Sequence, residues 1–266
     1  MSRVVRRGSR TVRETPEGLG FGNFLYLWMR ADAEVEQGHD YRVVQVPTME
    51  AWLGVLPSIR RLLVDPREVR PWDRRDPSWN QRFGVDFTRD ELDGFIRRHL
   101  LSSPLVASGT PDPRLLTVNV RRGDYYSVPT IRGRYAFDVP TYLDVALDAA
   151  VRGGGPVDRI QVVSDDAAWC RERLDAMLRW RADTVDYQAS SSTAQEHFRA
   201  VATSARIIGT NSTFSYWAGY VSTVLHGDAS QVVVPAFHAR HIDGGRAYQL
   251  DPEWQIVEGI PGGWDA

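Results

Sequence analysis

The segment RIQVVSDDAAWCRERLDAMLRW at residues 159–180 has the pattern of a single strand, turn and helix. Three of its first six residues are β-branched and apolar (Ile160, Val162 and Val163), and the stretch has the length expected for a strand. Apolar residues then recur at near-helical spacing from Ala168 to Leu178, and Asp165 and Asp166 stand where an N-cap and a first-turn acid are expected. The segment therefore predicts a strand that ends in an acidic turn and leads into a helix.

Two further stretches of the second half repeat this pattern. The run LLTVNV at 115–120 predicts a strand, and ARIIGTNSTFSYWAGYVS at 205–222 predicts a short strand up to Gly209, a polar turn and a helix. The run QVVVPAF at 231–237 predicts another strand. Strands that alternate with turns and helices are typical of a doubly wound α/β sheet, which we expect over this half of the chain.

The first half of the chain is less regular. The stretch EGLGFGNFLYLWMRADAEVEQG at 17–38 predicts a glycine-rich turn that opens a helix, and YRVVQV at 41–46 predicts a strand. Residues 64–90 are rich in Pro, Asp, Arg and Trp, which predicts an irregular connection with short helices ahead of a helix at 89–101. The stretch SSPLVASGTPDP at 102–113 is the best candidate for a linker.

The length of the chain suits one or two domains. With 266 residues it can form one large α/β domain or two domains of about 130 residues each. We predict an N-terminal α/β domain at 1–110, a C-terminal Rossmann-like domain at 111–250, and a tail at 251–266 that packs back.

The composition restricts the class of protein. A net charge of −2 and an isoelectric point near 6.3 provide no overall field to attract nucleic acid. Neither a signal peptide nor a transmembrane helix is indicated, so we expect a cytoplasmic protein. Cys170 is the only cysteine, which excludes an intrachain disulfide and a multi-cysteine metal site.

Arginine supplies every basic side chain, because the chain contains no lysine. A single Arg-Arg pair is therefore weak evidence for a ligand-binding site. Its position relative to the predicted strands is more informative. One group of arginines near the N-terminus is either a solvated arm or a surface for an anion or a membrane. This group consists of Arg3, Arg6, Arg7, Arg10 and Arg13.

Polar turns follow three of the predicted strands. In a doubly wound sheet, ligands bind at the carboxyl ends of the strands, where these turns lie. A guanidinium can bind phosphate through two parallel hydrogen bonds, and the amides at a helix start add further donors, so the turns suit a diphosphate. Taken singly, each turn is more often a surface ion pair or a helix cap than a ligand site. The turns contain Arg121, Arg122, Gly123 and Asp124; Ser164, Asp165 and Asp166; and Asn211, Ser212 and Thr213.

The order and spacing of the motifs resemble those of a known family. The chain is similar to the GDP-fucose-dependent fucosyltransferases, most closely to the bacterial alpha-1,2-fucosyltransferases. The motifs that carry the resemblance are EGLGFGNFLY at 17–26, NVRRGDY at 119–125, SDDAAWC at 164–170, NSTFSYWA at 211–218 and LDPEWQIV at 250–257.

The resemblance implies a GT-B-type fold of two Rossmann-like domains, with the donor held mainly by the C-terminal half and the acceptor on the N-terminal side. The implied activity is inverting transfer of fucose from GDP-β-L-fucose to a hydroxyl of a glycan or glycoside, alpha-1,2 to galactose. It also implies no metal and no other cofactor. Arg121 would bind the diphosphate, Asp165 or Asp166 would bind guanine, and Ser212 and Thr213 would bind phosphate oxygens.

Side-chain alternation along the strand assigns different roles to the two arginines. Asn119 and Arg121 should face the ligand, whereas Arg122 points away and is structural. Asp124 either accepts a proton or holds the Arg121 guanidinium. Trp72 and Trp79 are either acceptor contacts or core residues. The predicted catalytic residues are Arg121 and Asp124, and the predicted GDP-sugar-binding residues are Gly20, Asn23, Asn119, Arg121, Ser164, Asp165, Asp166, Asn211, Ser212, Thr213 and Phe214.

Two departures from the family pattern leave alternatives open. Asn119 replaces the family histidine, and Phe21-Gly22 replaces an Asn-Gln pair, with an asparagine displaced to Asn23. The alternatives are a non-catalytic nucleotide-sugar or glycan-binding relative, and a transferase that uses another GDP-sugar. A nucleotide-dependent oxidoreductase is disfavoured because the glycine pattern is wrong for a dinucleotide site.

Overall fold

The computed structural model describes residues 10–106 and 112–264. The chain divides into two compact units, Met1–Pro104 and Leu105–Ala266, here called unit 1 and unit 2. The division falls inside the predicted linker, part of which lies outside the described residues. The domain boundaries at 110 and 250 stay predictions. None of the described helices is long and apolar enough to cross a membrane.

The N-terminal arginine group is described only in part. Arg3, Arg6 and Arg7 lie outside the described residues, so a membrane contact through this group stays a prediction. Arg10 binds the Asp73 carboxylate at 2.6 Å, and Arg13 ends the first strand.

Unit 1 contains a four-stranded parallel sheet with the strand order β3-β2-β1-β4. The glycine-rich turn opens a long helix, as predicted, and Gly20 stands in extended conformation at its N-cap. The predicted helix at 89–101 is a short helix with a capping box from Thr88 and Glu91, continued by a π-helical turn at Ile96–Leu101. The elements are β1 (Thr11–Arg13), α1 (Phe21–Glu36), β2 (Tyr41–Val44), α2 (Glu50–Leu53), β3 (Leu63–Val64), β4 (Arg74–Arg75) and α3 (Arg89–Phe95).

A buried carboxylate connects three parts of unit 1. Asp32 lies on the inner face of α1 and is fully buried. It accepts hydrogen bonds from Arg61 at 2.8 Å, from Arg98 at 2.5 Å and from His99 at 2.9 Å. Burial is the strongest influence on this carboxyl and opposes its ionisation. The bonds from His99 and Arg98 outweigh burial and lower the pKa of Asp32 to about 2.

Unit 2 contains a six-stranded parallel sheet with the order β10-β9-β8-β5-β6-β7. The prediction of a doubly wound sheet in the second half is confirmed, and the two parallel sheets confirm the α/β fold class with two Rossmann-like units. The elements are β5 (Leu115–Val120), α4 (Gly123–Ser127), α5 (Pro129–Tyr135), α6 (Val139–Gly154), β6 (Arg159–Ser164), α7 (Ala167–Arg181), β7 (Thr184–Tyr187), α8 (Ala194–Ala202), β8 (Ile207–Gly209), α9 (Thr213–His226), β9 (Val232–Pro235) and β10 (Gln255–Val257).

The C-terminal segment takes part in this sheet. Strand β10 pairs in parallel with β9, with Gln255 opposite Val233. Trp254, just before it, is buried, and its indole N–H donates to Thr223 of α9 at 3.1 Å. The segment at 251–266, predicted to pack back, thus supplies an edge strand of the sheet.

Unit 2 has a topological switch point, which is the place in the sheet where the chain changes the side on which it adds strands. From the central strand β5 the chain proceeds outward to β6 and β7, and it then returns to build β8, β9 and β10 on the other side. A crevice for a ligand is expected where the two directions diverge, at the carboxyl ends of β5 and β8. The buried valines Val118 and Val120 anchor β5 in the core.

We expect the Asp32 carboxylate to make unit 1 sensitive to acid. Because its pKa is below the unfolded value of 3.8, its contribution to stability is present above that pH and is lost as the pH falls toward about 2. Asp32→Asn should lower the free energy of unfolding by about 3 kcal/mol at neutral pH, since it breaks buried ion pairs. It should also flatten the dependence of stability on pH between about 4 and about 2.

Urea denaturation of both proteins across this pH range measures the effect. Glu36→Gln is the matched control, because Glu36 lies on the same helix and contacts Arg61 but is half exposed. Equal losses of stability in the two variants would contradict the assignment to Asp32.

Candidate active site

The turns after β5 and β8 are joined to each other at the switch point. In the sheet, Asn119 pairs with Gly209 and Val120 pairs with Ser164, so the turns after all three strands begin at the same level. The backbone N–H of Arg121 donates to the Thr210 hydroxyl at 2.9 Å, and the Thr210 N–H donates to the Asn119 carbonyl at 3.1 Å. These bonds fix the start of the RRGD turn.

Arg121 projects from this turn with its side chain 39% exposed. One nitrogen contacts the Asp124 carboxylate at 2.5 Å and another contacts Asp165 at 2.7 Å. The ring of Tyr125 lies 5.4 Å from the guanidinium carbon. Burial is the largest influence and acts against the charge, but Asp165 and Asp124 outweigh it and raise the pKa of Arg121. The side chain is therefore a fixed, fully charged cation with a solvent-facing surface.

Gly123 is required by the close approach of two turns. A Cβ atom at this position would lie 2.6 Å from a carboxylate oxygen of Asp165, and the backbone φ of 21° is at the edge of the left-handed region. A side chain there would displace the carboxylate that holds Arg121.

Arg122 is packed into the protein. Its side chain is only 13% exposed, and its guanidinium carbon lies 4.1 Å from the ring centre of Tyr126 and 3.7 Å from that of Trp169. Its Nε donates to Asp166 at 3.1 Å. The contrast with Arg121 supports the prediction that Arg122 is structural.

The two aspartates after β6 have different partners. Asp166 caps α7, because its carboxylate accepts a bond from the Trp169 N–H at 3.1 Å, and its own N–H donates to Ser164 at 3.0 Å. Asp165 accepts from the backbone N–H of Arg122 at 2.8 Å and from Arg121. Asp166 is thus a helix cap, and a contact of Asp165 with guanine stays a prediction.

Asn119 is buried, and its amide is bonded within the protein. Its nitrogen donates to the Val163 carbonyl at 3.0 Å, and its oxygen accepts from the Ser215 hydroxyl at 2.7 Å. The side chain connects β5, β6 and the first turn of α9. A contact of Asn119 with a nucleotide sugar stays a prediction.

The turn after β8 begins α9 with a hydroxyl cap. Ser212 accepts a bond from the Phe214 N–H at 3.2 Å, so part of the predicted phosphate site also caps the helix. Thr213 begins the helix, and the ring of Phe214 packs edge-on against Phe198 at 5.3 Å. Asn211 donates to the carbonyls of Tyr135 and His238, both at 2.8 Å.

The structure adds aromatic residues that are not among the predicted site residues. Tyr125 stacks on Tyr135 with ring centres 4.4 Å apart, and the edge of His238 meets Tyr135 at 5.8 Å. Burial lowers the pKa of His238 to about 4, so it is neutral at physiological pH. In the sequence, the adjacent tyrosines of RRGDYY were the one available sign of this aromatic cluster. The loop that carries His238 has no motif.

Gly20 and Asn23 lie in unit 1. Gly20 precedes α1, and the Asn23 side-chain oxygen accepts from Gln81 at 2.9 Å. Within the residues that the structure describes, no group of three or more His, Cys, Asp or Glu side chains is arranged to hold a metal ion.

The family is shown by a match over most of this region. The family model of Glycosyl transferase family 11 matches residues 85–257, which is more than half of the chain. The chain belongs to glycosyl transferase family 11. The resemblance indicated by the motifs is confirmed, and the matched range includes Arg121, Asp165 and Ser212.

Curated relatives of this family 11 chain share about a third of its residues over the matched region. It is 32% identical over 138 residues to galactoside alpha-(1,2)-fucosyltransferase 1 of Saimiri sciureus. It is 33% identical over 141 residues to the protein of the same name from Lagothrix lagotricha. Each match covers 52% of this chain and 36% of the relative, so the chain matches little more than a third of the length of these relatives.

Solved structures similar to the family 11 chain include two heptosyltransferases. One is TibC in complex with ADP-D-beta-D-heptose, with a TM-score of 0.49 and 13% identity over 97% of this chain and 64% of that chain. The other is E. coli WaaC with ADP, with a TM-score of 0.48 and 11% identity over 97% of this chain and 95% of that chain.

We expect Arg122→Lys to destabilise the family 11 chain more than Arg121→Lys does. Lysine cannot fill the planar slot between Tyr126 and Trp169, and the lost cation–π contacts should cost about 1–2 kcal/mol. Arg121 is more exposed and has one ring contact at 5.4 Å. Urea denaturation of the two variants measures the difference, and an equal loss in both would contradict the contrast between the arginines.

Proposed function

We propose that this family 11 chain is an inverting fucosyltransferase. It transfers fucose from GDP-β-L-fucose to a hydroxyl of a galactoside and forms an alpha-1,2 linkage. The observation that carries the proposal is the Arg121 guanidinium, held between Asp124 and Asp165 at the switch point and still partly exposed. The motif resemblance supports the donor, and the name of the curated relatives supports the acceptor.

Arg121 suits the charge that develops on the leaving group. When the glycosyl–phosphate bond breaks, negative charge appears on the oxygens of departing GDP. The guanidinium offers parallel N–H donors for these oxygens. The N-terminus of α9, at the neighbouring turn, adds backbone donors and a positive dipole end. These groups stabilise the leaving diphosphate by themselves, so we propose that turnover needs no divalent metal.

Asp124 is a positioning residue in this proposal. Its carboxylate lies 2.5 Å from Arg121, and together with Asp165 it restricts the guanidinium to one orientation. A preorganised donor stabilises a transition state without reorganising during the reaction. The ion pair supports this role over proton acceptance by Asp124.

The guanine and phosphate contacts remain those that the motifs imply. Asp165 has both oxygens engaged by the Arg121–Arg122 turn, but a carboxylate has about four acceptor positions and can take further bonds. Ser212 and Thr213 stand at the start of α9, where phosphate oxygens bind well. We propose Asp165 for guanine and these two residues for phosphate.

The proposal is tested by binding and turnover, both measured in EDTA. Thermal unfolding with GDP, ADP and UDP should show the largest increase in Tm for GDP, because the site recognises guanine. Release of GDP from GDP-fucose should then depend on an added β-galactoside.

Four results would separate the alternatives. GDP stabilisation without transfer to any galactoside would favour a non-catalytic relative. Transfer from a different GDP-sugar would identify another donor. Equal Tm shifts for the three nucleotides would contradict the guanine site, and activity restored only by manganese would contradict metal independence.

Arg121→Lys is expected to lower kcat by about 10²-fold, as when one preorganised transition-state donor is removed. The variant keeps a charge but loses the forked donor geometry. Arg122→Lys, measured in the same assay, should keep most of the turnover of the folded protein. Full activity in Arg121→Lys with loss in Arg122→Lys would reverse the two roles.

A further inference from the structure

A stack of two tyrosines lies beside the arginine of the candidate active site. The rings of Tyr125, in α4, and Tyr135, the last residue of α5, have centres 4.4 Å apart and planes inclined by 23°. The Arg121 guanidinium carbon lies 5.4 Å from the ring centre of Tyr125. His238 and His241 meet Tyr135 edge-on at 5.8 Å and 5.5 Å. A continuous series of ring contacts therefore connects Arg121 with the loop after β9.

The contact between Arg121 and the Tyr125–Tyr135 stack joins a cation to a neutral ring. Burial raises the pKa of Tyr125, so its phenol stays protonated at neutral pH. A guanidinium within about 6 Å of an aromatic ring centre is attracted to the ring face, and more strongly where water is excluded. Neither phenol oxygen has a hydrogen-bond partner among the residues that the structure describes. The contacts of the stack are therefore made by the rings and do not depend on the hydroxyls.

Asn211 holds the end of the stack that is farther from Arg121. This residue is 1% exposed, and its amide nitrogen donates to the backbone carbonyls of Tyr135 and His238, both at 2.8 Å. The Arg240 guanidinium, from the loop after β9, donates to the carbonyl of Ala136 at 2.7 Å. The end of α5 is thus attached to the turn after β8 and to the loop after β9, which fixes the position of Tyr135.

The hydrogen bonds of Asn211 favour an anchoring role over a contact with the GDP-sugar. A primary amide has two N–H donors, and the two backbone carbonyls use both of them. The amide oxygen of Asn211 is buried and has no partner among the described residues. The side chain therefore presents no accessible polar group to a ligand.

The stack restrains a movement that the ion pairs of Arg121 leave free. Asp124 and Asp165 bind two different nitrogens of the guanidinium, at 2.5 Å and 2.7 Å. The N–H donors of a guanidinium lie in its plane, so two such contacts define a line about which the plane can still tilt. A ring that packs on the face of the guanidinium opposes this tilt.

We propose that Tyr125 and Tyr135 are positioning residues that hold the plane of the Arg121 guanidinium toward the leaving diphosphate, with Asn211 as the anchor of Tyr135. The two tyrosines act through Arg121 and do not bind the donor themselves. The role assigned to Arg121 rests on the proposed function.

Steady-state kinetics test the proposal through the separation of kcat from KM. Tyr125→Leu and Tyr135→Leu should each lower kcat by about 10-fold, because the orientation of Arg121 matters most for the charge that develops in the transition state. The KM for GDP-fucose should stay near the wild-type value. Tyr125→Phe and Tyr135→Phe keep the rings and should stay near the wild-type kcat.

Tyr126→Leu is the matched control. Tyr126 follows Tyr125 directly in the chain, and its ring lies 4.1 Å from the guanidinium carbon of the structural Arg122. This variant removes a tyrosine ring from an arginine of the same turn. It should lower the Tm but leave the kcat of the folded protein near wild type.

NMR of the arginine side chains provides a readout that does not depend on turnover. In ¹⁵N-labelled protein, the Nε–H signal of Arg121 is identified by its absence in Arg121→Lys, and its heteronuclear NOE reports motion on the picosecond to nanosecond scale. We expect a rigid side chain in wild type and Tyr135→Phe, and a mobile one in Tyr135→Leu and Asn211→Ala. Tyr135→Met keeps more of the side-chain volume, and it replaces the leucine variant if that protein does not fold.

The outcomes distinguish this positioning role from the transferase proposal. An Arg121 side chain that becomes mobile in Tyr135→Leu, in a protein without transfer, would uphold the positioning role and contradict the activity. An equally rigid Arg121 in wild type and the leucine variants would overturn the role even if transfer occurs. In an active enzyme it would also be overturned by an unchanged kcat, by a higher KM for GDP-fucose at unchanged kcat, or by an equal loss of kcat in Tyr126→Leu.

Discussion

The candidate active site depends on the carboxylate of Asp165. One of its oxygens accepts from the backbone N–H of Arg122 and the other from the Arg121 guanidinium, so it joins the turn after β5 to the turn after β6. The contact requires Gly123, whose missing Cβ leaves room for the carboxylate. Because both strands are parallel and in register, a single acid can orient the arginine that faces the crevice.

Arginine takes several roles in this lysine-free chain, and the surroundings of each side chain decide which. Arg98 neutralises the buried Asp32, whereas Arg122 fills a slot between two rings. Arg206 is buried without a carboxylate partner in the described residues, and burial lowers its pKa. Its guanidinium donates to backbone carbonyls of Pro113, Ala150, Gly155 and Pro156. Charge alone therefore does not identify a ligand-binding arginine.

In both units, the order of the parallel strands determines where a ligand can bind. Where the order of strands reverses, the loops at the carboxyl ends separate and leave polar groups facing a crevice. In unit 2 these groups include a charged guanidinium, which suits a diphosphate. In unit 1 the residues at this edge include the half-exposed Trp79 and the buried Arg13. The difference in chemistry follows from the residues in the loops, since the sheet geometry is common to both units.

The sequence by itself determined the strand-turn-helix units of the second half and the polar residues at their turns, because apolar periodicity and helix caps are local properties. Alternation along β5 also separated Arg121 from Arg122, whose environments differ as expected. Only the tertiary structure decided the strand orders, the buried amide of Asn119, the Tyr125–Tyr135 stack and the exposure of Trp72 and Trp79. These features arise from contacts between residues far apart in the chain, on which local periodicity carries no information.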